Sequence, residues 1–492
     1  MIIDENKLLD QKKVIFSEAS LVDDFGRVFF YEGRVFRAIY KNQKDNCLAI
    51  IESNLYKELY TENLIPKTWI TNYQLEGFSL ILEHEFVYES KPHHWSFTMY
   101  KDAALAILEV NKTCNRYGYE LKDAHPYNIF FKNNNPVFID FGSISKRVNP
   151  STWVAYEQFL TFCYLQLLVW NKADFFLARK LIEDSNYPAL RTIPMSSIFD
   201  SFLMNLVKYD LYDFKLYFRG RLLNIGLKEQ RYALILSKGV NRIGGIFLRR
   251  KIKIKMFTQT KELKNIKTIE EKLKSFERPT HNSYWENYHN TYKTGNKINS
   301  TPRFDRIIGL VKQYALNIKS AIDLAGNQGV FCYLLSNSMY LNRIILTDYD
   351  EKAIDIAYQT FKADKINIQP YLFNFMLPLR DDEIISLRSD IVFALAITHH
   401  LVLTQKYQLQ VVFKRIESFS NNYVVIEFMP IGLWGGKEIP EVPEWYTVDW
   451  FRTEFKKQFV LLAEEQLEIN RIVFIGKKFN NYSSFLNRTA VQ

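Results

Sequence analysis

Cysteine is scarce, long apolar runs are missing, and no glycine-rich phosphate loop of the G-x-G-x-x-G kind occurs in this 492-residue sequence. The four cysteines (Cys47, Cys114, Cys163, Cys332) are too widely spaced for a C-x-x-C pair or a disulfide framework, so buried thiols in a reducing compartment are expected. The first residues, MIIDENKLLDQKK, carry charge where a secretory leader needs an apolar core, which points to a cytoplasmic protein. The greasiest run, 159–170, contains Thr161 and Gln166 and is too short to cross a bilayer; it reads as a buried helix. Charged residues at 24% and hydrophobic residues at 47% exclude disordered, collagenous and low-complexity chains. The length is that of two or three domains.

What the chain does have is a localised excess of positive charge. Lysine plus arginine number 64 against 54 acids. Residues 249–278 alone carry eleven Lys or Arg against four Glu. Pro279, the polar stretch HNSYWENYHN and the turn-rich KTGNKINSTP follow, before a new apolar region opens at Ile307. The expected organisation is therefore a domain over 1–248 (strand-rich lobe 1–90, helical lobe 91–248), a basic linker over 249–300, and a third region over 301–492. Charges at helical spacing beside Ile266, Ile269 and Leu273 predict a solvated linker helix. The alternative is a phosphate contact through Arg249, Arg250, Lys251, Lys253 and Lys255.

Near the amino terminus, GRVFFYEG and RVFRAIYK flank Glu32-Gly33 as a hairpin, with CLAIIE as a third strand. A short helix from Leu55, the strand FSLILEHEF and a helix over 97–117 follow. Next comes GYELKDAHPYNIFFKNNNPVFIDFGSI, in which Asp123 and Asn128 are five apart and Asp140-Phe141-Gly142 follows a short hairpin. This spacing resembles the protein-kinase catalytic loop and its D-F-G motif, with Lys122-Asp123 and His125-Pro126 closer to small-molecule kinases. The resemblance implies an α+β kinase-like domain in which Asp123 orients or deprotonates a hydroxyl, while Asn128 and Asp140 hold the magnesium of Mg-ATP. CLAIIE lacks the phosphate-pairing lysine; Arg37 or Lys41, paired with Glu58, are the substitutes. An active kinase and a degenerate domain that keeps only the fold both remain open.

After residue 300 strand and helix alternate, which argues for a parallel doubly wound sheet closed by a hairpin. Within SAIDLAGNQGVFCYLLSNSMYLNRIILTDYD, an apolar strand reaches Asp323, a small-residue turn follows, and a second strand ends at Asp348. Small residues at such a turn admit close backbone approach of a ligand, and the acid 25 residues on sits where ribose hydroxyls are bound. The segment resembles motif I of class I S-adenosylmethionine-dependent methyltransferases. The likeness implies a Rossmann-like seven-stranded mixed sheet and a cofactor site of Asp323, Ala325 (where the first glycine is usual), Gly326, Asn327, Gly329, Asp348 and Asn374. SDIVFALAITHHL resembles motif IV and makes His399 and His400 the candidate catalytic bases. Asp350 is either a second ribose acid or a helix cap.

DAHPYN, PVFIDFGSI, the Trp285/Tyr288 pair, the motif I turn, ALAITHHL and VVIEFMP together are similar to bacterial SAM-dependent methyltransferases of the nodulation-protein NoeA type, over almost the whole chain. That resemblance implies methyl transfer and leaves the acceptor undefined. The loop with Trp434, Gly435, Gly436 and Trp445, acidic at Glu438, Glu441 and Glu444, suits a carbohydrate or small polar molecule. Transfer to tRNA or rRNA through the basic segment, and a non-catalytic nucleotide-binding scaffold, are the competing readings. The sequence does not define the oligomeric state.

Overall fold

The computed structural model describes residues 7–172, 178–179, 182, 266–279, 293–294, 297–434 and 438–479. The aromatic pair Trp285/Tyr288, the basic cluster 249–255 and Gly435 with Gly436 lie outside the described residues, as does the part of the expected helical lobe over 183–248. Contacts divide the chain into two compact units. One contains Met1–Ala106, Tyr127–Gly142 and Arg278–Gln492; the other contains Ile107–Pro126 and Ser143–Glu277. By this division the amino-terminal residues group with the carboxy-terminal region rather than standing apart from it.

The first unit begins with a five-stranded antiparallel sheet. Its strands are β1 (Ile15–Phe16), β2 (Gly26–Tyr31), β3 (Arg34–Ile39), β4 (Thr68–Ile70) and β5 (Leu80–His84), in the order β1-β2-β3-β5-β4. The β2–β3 hairpin pairs Tyr31 with Arg34, and Glu32 (φ 49°) and Gly33 (φ 75°) supply the two left-handed residues that such a tight turn requires. CLAIIE is not a strand. Residues Lys44–Ile51 form helix α1, because Cys47 and Ile50, three apart, bury one face while Asp45 favours the first turn. Helix α2 (Asn54–Thr61) follows, capped by the Ser53 hydroxyl, which accepts from Tyr56 N. Further on, β6 (Ile129–Lys132) and β7 (Asn135–Phe138) make a second hairpin turned by Asn133 and Asn134, both at positive φ.

The carboxy-terminal part of this unit is a seven-stranded sheet. In chain order its strands are β8 (Ser320–Leu324), β9 (Arg343–Asp348), β10 (Ile368–Leu372), β11 (Ser389–Ala394), β12 (Ser420–Phe428), β13 (Phe459–Glu468) and β14 (Arg471–Lys478). They lie in the order β10-β9-β8-β11-β12-β14-β13, and only β14 runs against its neighbours. This is the mixed sheet expected from the sequence. Alternation along the strands buries both faces. Ile322, Leu324, Val392, Val424 and Ile426 pack with Phe413 of α8 (Leu409–Ser418) and Phe451 of α9 (Val448–Gln458). Ala321, Phe393, Val425 and Ile475 pack with α4 (Pro302–Tyr314) and α5 (Val330–Ser338). Helix α6 (Glu351–Ala363) follows β9; α7 (Asp381–Leu387), a short acid-started helix, was not legible in the sequence.

A second helix joins this body by its first turn. At the start of helix α3 (Phe97–Arg116) Ser96 Oγ accepts from Met99 N at 3.5 Å, while Glu351 and Asp355 of α6 accept from Phe97 N (2.9 Å) and Thr98 N (2.9 Å). Thr98 Oγ1 also donates to Asp355 at 2.8 Å. Arg278 lies 3.4 Å from Glu351 and 3.7 Å from Asp355. Two carboxylates thus satisfy the orphan amides of a helix start and its positive dipole end.

The second unit contains the antiparallel pairing of Tyr119–Leu121 with Ile144–Lys146, onto which Trp153 Nε1 donates at Leu121 O (2.8 Å). Residues 159–170 form the expected buried helical run, one turn of it a π-helix, with Phe159, Cys163, Leu167 and Trp170 inaccessible. Helix Ile266–Ser275 is not a fully solvated linker helix: Ile269 and Leu273 are buried, and Glu270 bridges Lys112 and Lys274. No helix among the described residues is long and apolar enough to cross a membrane.

The α3 cap yields a measurable consequence. Asp355→Ala leaves Thr98 N and Oγ1 without their acceptor and Arg278 with one fewer counter-charge; it is expected to lower unfolding stability by about 2–4 kcal/mol in urea denaturation.

Candidate cofactor site

Strand β8 lies inside the seven-stranded sheet, between β9 and β11, and is buried on both sides, so the turn leaving its carboxyl end opens at the edge where doubly wound folds bind ligands. Asp323 is 3% exposed, and pleat alternation aims it toward α5, where the Cys332 thiol donates to Oδ2 at 3.7 Å. Its other oxygen, Oδ1, has no hydrogen-bond partner among the described residues. Burial, with the nearby Asp348 charge adding to it, pushes the Asp323 carboxyl up to about 8, against the thiol contact and the Arg303 charge.

The turn is shaped around that carboxylate. A Cβ on Gly326 would lie 2.4 Å from Asp323 Oδ2, and one on Gly329 would lie 2.6 Å from Phe361 and 2.7 Å from Leu346. Gly329 also has φ +70°, so both space and backbone require glycine. Ala325 and Asn327 adopt φ 59° and 51°. Asparagine tolerates that region; for Ala325 the left-handed backbone costs about 1–2 kcal/mol, so alanine adopts the glycine conformation rather than reshaping the turn.

Asp348 ends β9 and is 6% exposed. Its Oδ2 accepts from Asn327 N and its Oδ1 from Asp350 N, both at 2.8 Å. One carboxylate therefore ties the small-residue turn to the following loop and keeps further lone pairs for a ligand. Burial raises its pKa to about 6 despite these amides. Asp350, the rival ribose acid, caps α6 by accepting from Lys352 N and Ala353 N. Asn374 accepts from Met376 N at 2.9 Å and so shapes the turn after β10.

At the ends of β11 and β12 the groups divide by role. Glu427, fully buried, is held by Arg303 through Nε (2.7 Å) and Nη2 (2.5 Å) and by Arg471 at 3.3 Å. The sequence signal for this triad is Arg303 in the first turn of α4, a position where the helix dipole disfavours a cation unless a buried acid meets it. Thr398 Oγ1 donates to Glu427 O at 2.7 Å, fixing the turn that carries the two histidines. His399 and His400 are neighbours with ring centroids 4.1 Å apart. Burial lowers the pKa of both, that of His399 to about 3, so both are neutral near pH 7 and the less buried His400 is the stronger base. Among the described residues His399 Nδ1 and the buried Tyr446 hydroxyl both lack hydrogen-bond partners; Tyr446 escaped sequence reasoning, although the run EWYTVDW marks its aromatic cluster.

The kinase-like residues are distributed between the two units. Asn128 and Asp140 share the first, where Ile139 N donates to Asn128 O at 2.8 Å. Asp123 lies in the second, its amide donating to Ser143 Oγ and its carboxylate accepting from His125 N. Of the two proposed lysine substitutes, Lys41 is exposed, whereas Arg37 on β3 is 4% exposed and donates to Asp140 Oδ1 at 3.0 Å. Its other terminal nitrogen donates to Asp23 Oδ2 at 2.6 Å, and a Cβ on Gly142 would touch it at 2.6 Å. A guanidinium shared by two carboxylates does not match the lysine that pairs nucleotide phosphates, nor does Asp140 so engaged match a magnesium ligand. The residues around Asp140 thus do not fit Mg-ATP in this arrangement.

No family model matches the chain. Its sequence is similar to the nodulation protein NoeA of Rhizobium meliloti (strain 1021), 24% identical over 453 residues and covering 84% of each chain. Among solved structures it is similar to the PH0226 protein from Pyrococcus horikoshii OT3, with a TM-score of 0.33, 18% identity, and coverage of 41% of this chain and 100% of that one. A SAM-dependent methyltransferase from Aquifex aeolicus matches with a TM-score of 0.31, 11% identity, and coverage of 40% and 100%. The N-methyltransferase NodS from Bradyrhizobium japonicum WM9 gives 0.29, 9%, 37% and 99%.

The buried Asp323 predicts a pH dependence. Its folded pKa is raised above the ordinary carboxyl value of 3.8, so its contribution to stability is full below that value and is lost as pH rises through about 8. In Asp323→Asn the fall of the urea midpoint between pH 5 and pH 8 is expected to shrink; an unchanged pH slope would show that Asp323 titrates normally.

Proposed function

We propose that the region over 301–492 binds S-adenosylmethionine and transfers its methyl group to a carbohydrate or small polar acceptor. The observation that carries this reading is the turn after β8, where two glycines admit no Cβ and a buried carboxylate keeps one oxygen without a partner. Similarity to NoeA over most of the chain agrees with it. Gly326, Asn327 and Gly329 would bring backbone against the cofactor, Asp348 would accept from its ribose, and Asp323 would meet a donor through Oδ1. The cofactor supplies a methyl group on a sulfonium leaving group, so the chain's task is to place the acceptor in line and to exclude water. His400, neutral and half-buried, would take a proton from an acceptor hydroxyl, while His399 Nδ1 and the Tyr446 hydroxyl are positioned to orient one.

A neutral acceptor is favoured over RNA by the loop after β12. Glu438, Glu441 and Glu444 are exposed there, and Trp445, 51% exposed, packs 4.9 Å from Trp450. Acids repel a phosphate backbone, and an exposed indole offers a face to a sugar. For the amino-terminal half the degenerate reading of the kinase-like domain is favoured, because Asp23 holds the guanidinium that would face phosphates.

Titration calorimetry tests both halves. Wild type is expected to bind S-adenosylmethionine, and Asp348→Ala to bind at least tenfold more weakly; absence of cofactor heat in wild type overturns the methyl-transfer reading. Incubation with methyl-labelled cofactor and cell extract should place label in glycan or small molecules, and label confined to RNA would refute the acceptor assignment. For Mg-ATP no heat is expected from wild type, and Asp23→Asn should gain measurable affinity; tight binding by wild type would contradict the degenerate reading.

A further inference from the structure

We propose that His93, His94 and Glu383 form a binding site for a zinc-class divalent metal ion, which fastens the segment preceding α3 to the edge of the seven-stranded sheet. One ligand atom from each of the three residues lies within 4.8 Å of the other two. Ligands on a tetrahedral zinc ion, with arms of about 2.0–2.1 Å, stand roughly 3.3 Å apart, so a modest closure completes the set. All three residues belong to the same compact unit.

The cluster is held from several sides. Glu383 is the third residue of α7, where its Oε2 accepts from Arg380 N at 3.1 Å, leaving Oε1 directed at His93 Nε2, 2.8 Å away. The His94 ring is 4% exposed and packs edge-on to Tyr371 at 5.7 Å and against Phe373 at 5.3 Å. The Tyr371 hydroxyl in turn donates to Glu89 O at 2.8 Å, which anchors the backbone ahead of both histidines. Fixed rings and a fixed carboxylate are the conditions under which a metal site costs little to organise.

Two imidazoles and one carboxylate suit zinc, cobalt, nickel or copper, and not magnesium or calcium, which take oxygen ligands. Three protein ligands leave a fourth position for water. Lys91 Nζ lies 3.9 Å from Glu383 but 3.1 Å from Asp382, so it keeps a counter-ion when the metal takes Glu383. Its positive charge, with Arg380 at 3.7 Å from Glu383, makes the site weaker than a cysteine-rich structural one. The position gives the ion a consequence: Phe373, against which His94 packs, directly precedes Asn374 in the turn after β10. Metal binding would stiffen that turn, whether or not the unit binds a nucleoside.

Chelator-treated full-length protein titrated with zinc sulfate is expected to bind one ion per chain, with a rise in thermal midpoint that magnesium and calcium do not produce. Cobalt(II) should give the intense visible bands of a tetrahedral site. His93→Gln with His94→Gln, and separately Glu383→Gln, which keeps the helix-start hydrogen bond, should each weaken zinc binding at least tenfold while leaving the metal-free thermal midpoint close to wild type. Absence of saturable zinc binding in wild type, or binding that persists in both variants, would overturn the proposal.

Discussion

The feature on which the rest of the first unit turns is a carboxylate buried at the middle of a sheet. Asp323 sits near the end of an interior strand, with one oxygen against a thiol and the other without a hydrogen-bond partner among the described residues. Placing a charge there is costly, and it dictates much of its surroundings. Gly326 must be glycine because its Cβ would strike the same carboxylate, and the nearby Arg303–Glu427–Arg471 triad carries one excess positive charge. Asp348 completes the arrangement by holding Asn327 N, so the turn is defined by hydrogen bonds to a neighbouring strand rather than by its own residues alone. Leaving one oxygen of a buried acid without a partner among the described residues costs stability, and burial correspondingly favours its neutral form.

A second pair of buried acids explains why residues before 106 group with the carboxy-terminal sheet. Glu351 and Asp355 face the amide end of α3, and Lys362 and Tyr358 one turn on meet Asp102. Burial and the Asp355 charge raise the Glu351 carboxyl to about 7, against the helix amides and Arg278. Asn134, in the β6–β7 turn, donates to Ile366 O at 2.7 Å, and Trp95 packs on Phe131. The hydrogen bonds among these contacts join residues separated by more than 200 positions, and they replace the simple tether that a charged segment at 249–278 suggests.

The periodic parts of the chain were the legible ones. The strands of the seven-stranded sheet other than the edge strand β13 have buried alternating or continuous apolar residues, and the ends of β8 and β9 are marked by Asp323 and Asp348. The hairpins at Glu32-Gly33 and Asn133-Asn134 were legible for a different reason: their residues accept positive φ. CLAIIE was misread because a short apolar run has no period of its own, and only packing decided that Cys47 and Ile50 share a helical face. The seven residues of α7 are too few to show a period at all. Within the site, motif spacing located Asp323, Gly326, Gly329 and Asp348, but Arg303, Arg471, Tyr446 and Glu383 act through partners remote in sequence. Spacing along a chain carries no record of such pairs.

The residues around Asp140 in the amino-terminal part of the first unit are ordered by an ion cluster. In the stretch between β1 and β2, where kinases carry the glycine-rich loop, this chain has Ser-Glu-Ala-Ser-Leu-Val-Asp-Asp-Phe. Asp23 of that stretch reaches Arg37 at 2.6 Å, so an acidic side chain already engages the guanidinium. Arg37, Asp23 and Asp140 together carry one excess negative charge in a partly buried setting. A polyphosphate brought to Arg37 would have to displace Asp23 or arrive with enough cation to offset three or more like charges, and either requirement works against nucleotide binding. The D-F-G turn is retained because Gly142 alone leaves room for the guanidinium. Its sequence is therefore explained by the ion cluster it encloses, without appeal to phosphoryl transfer.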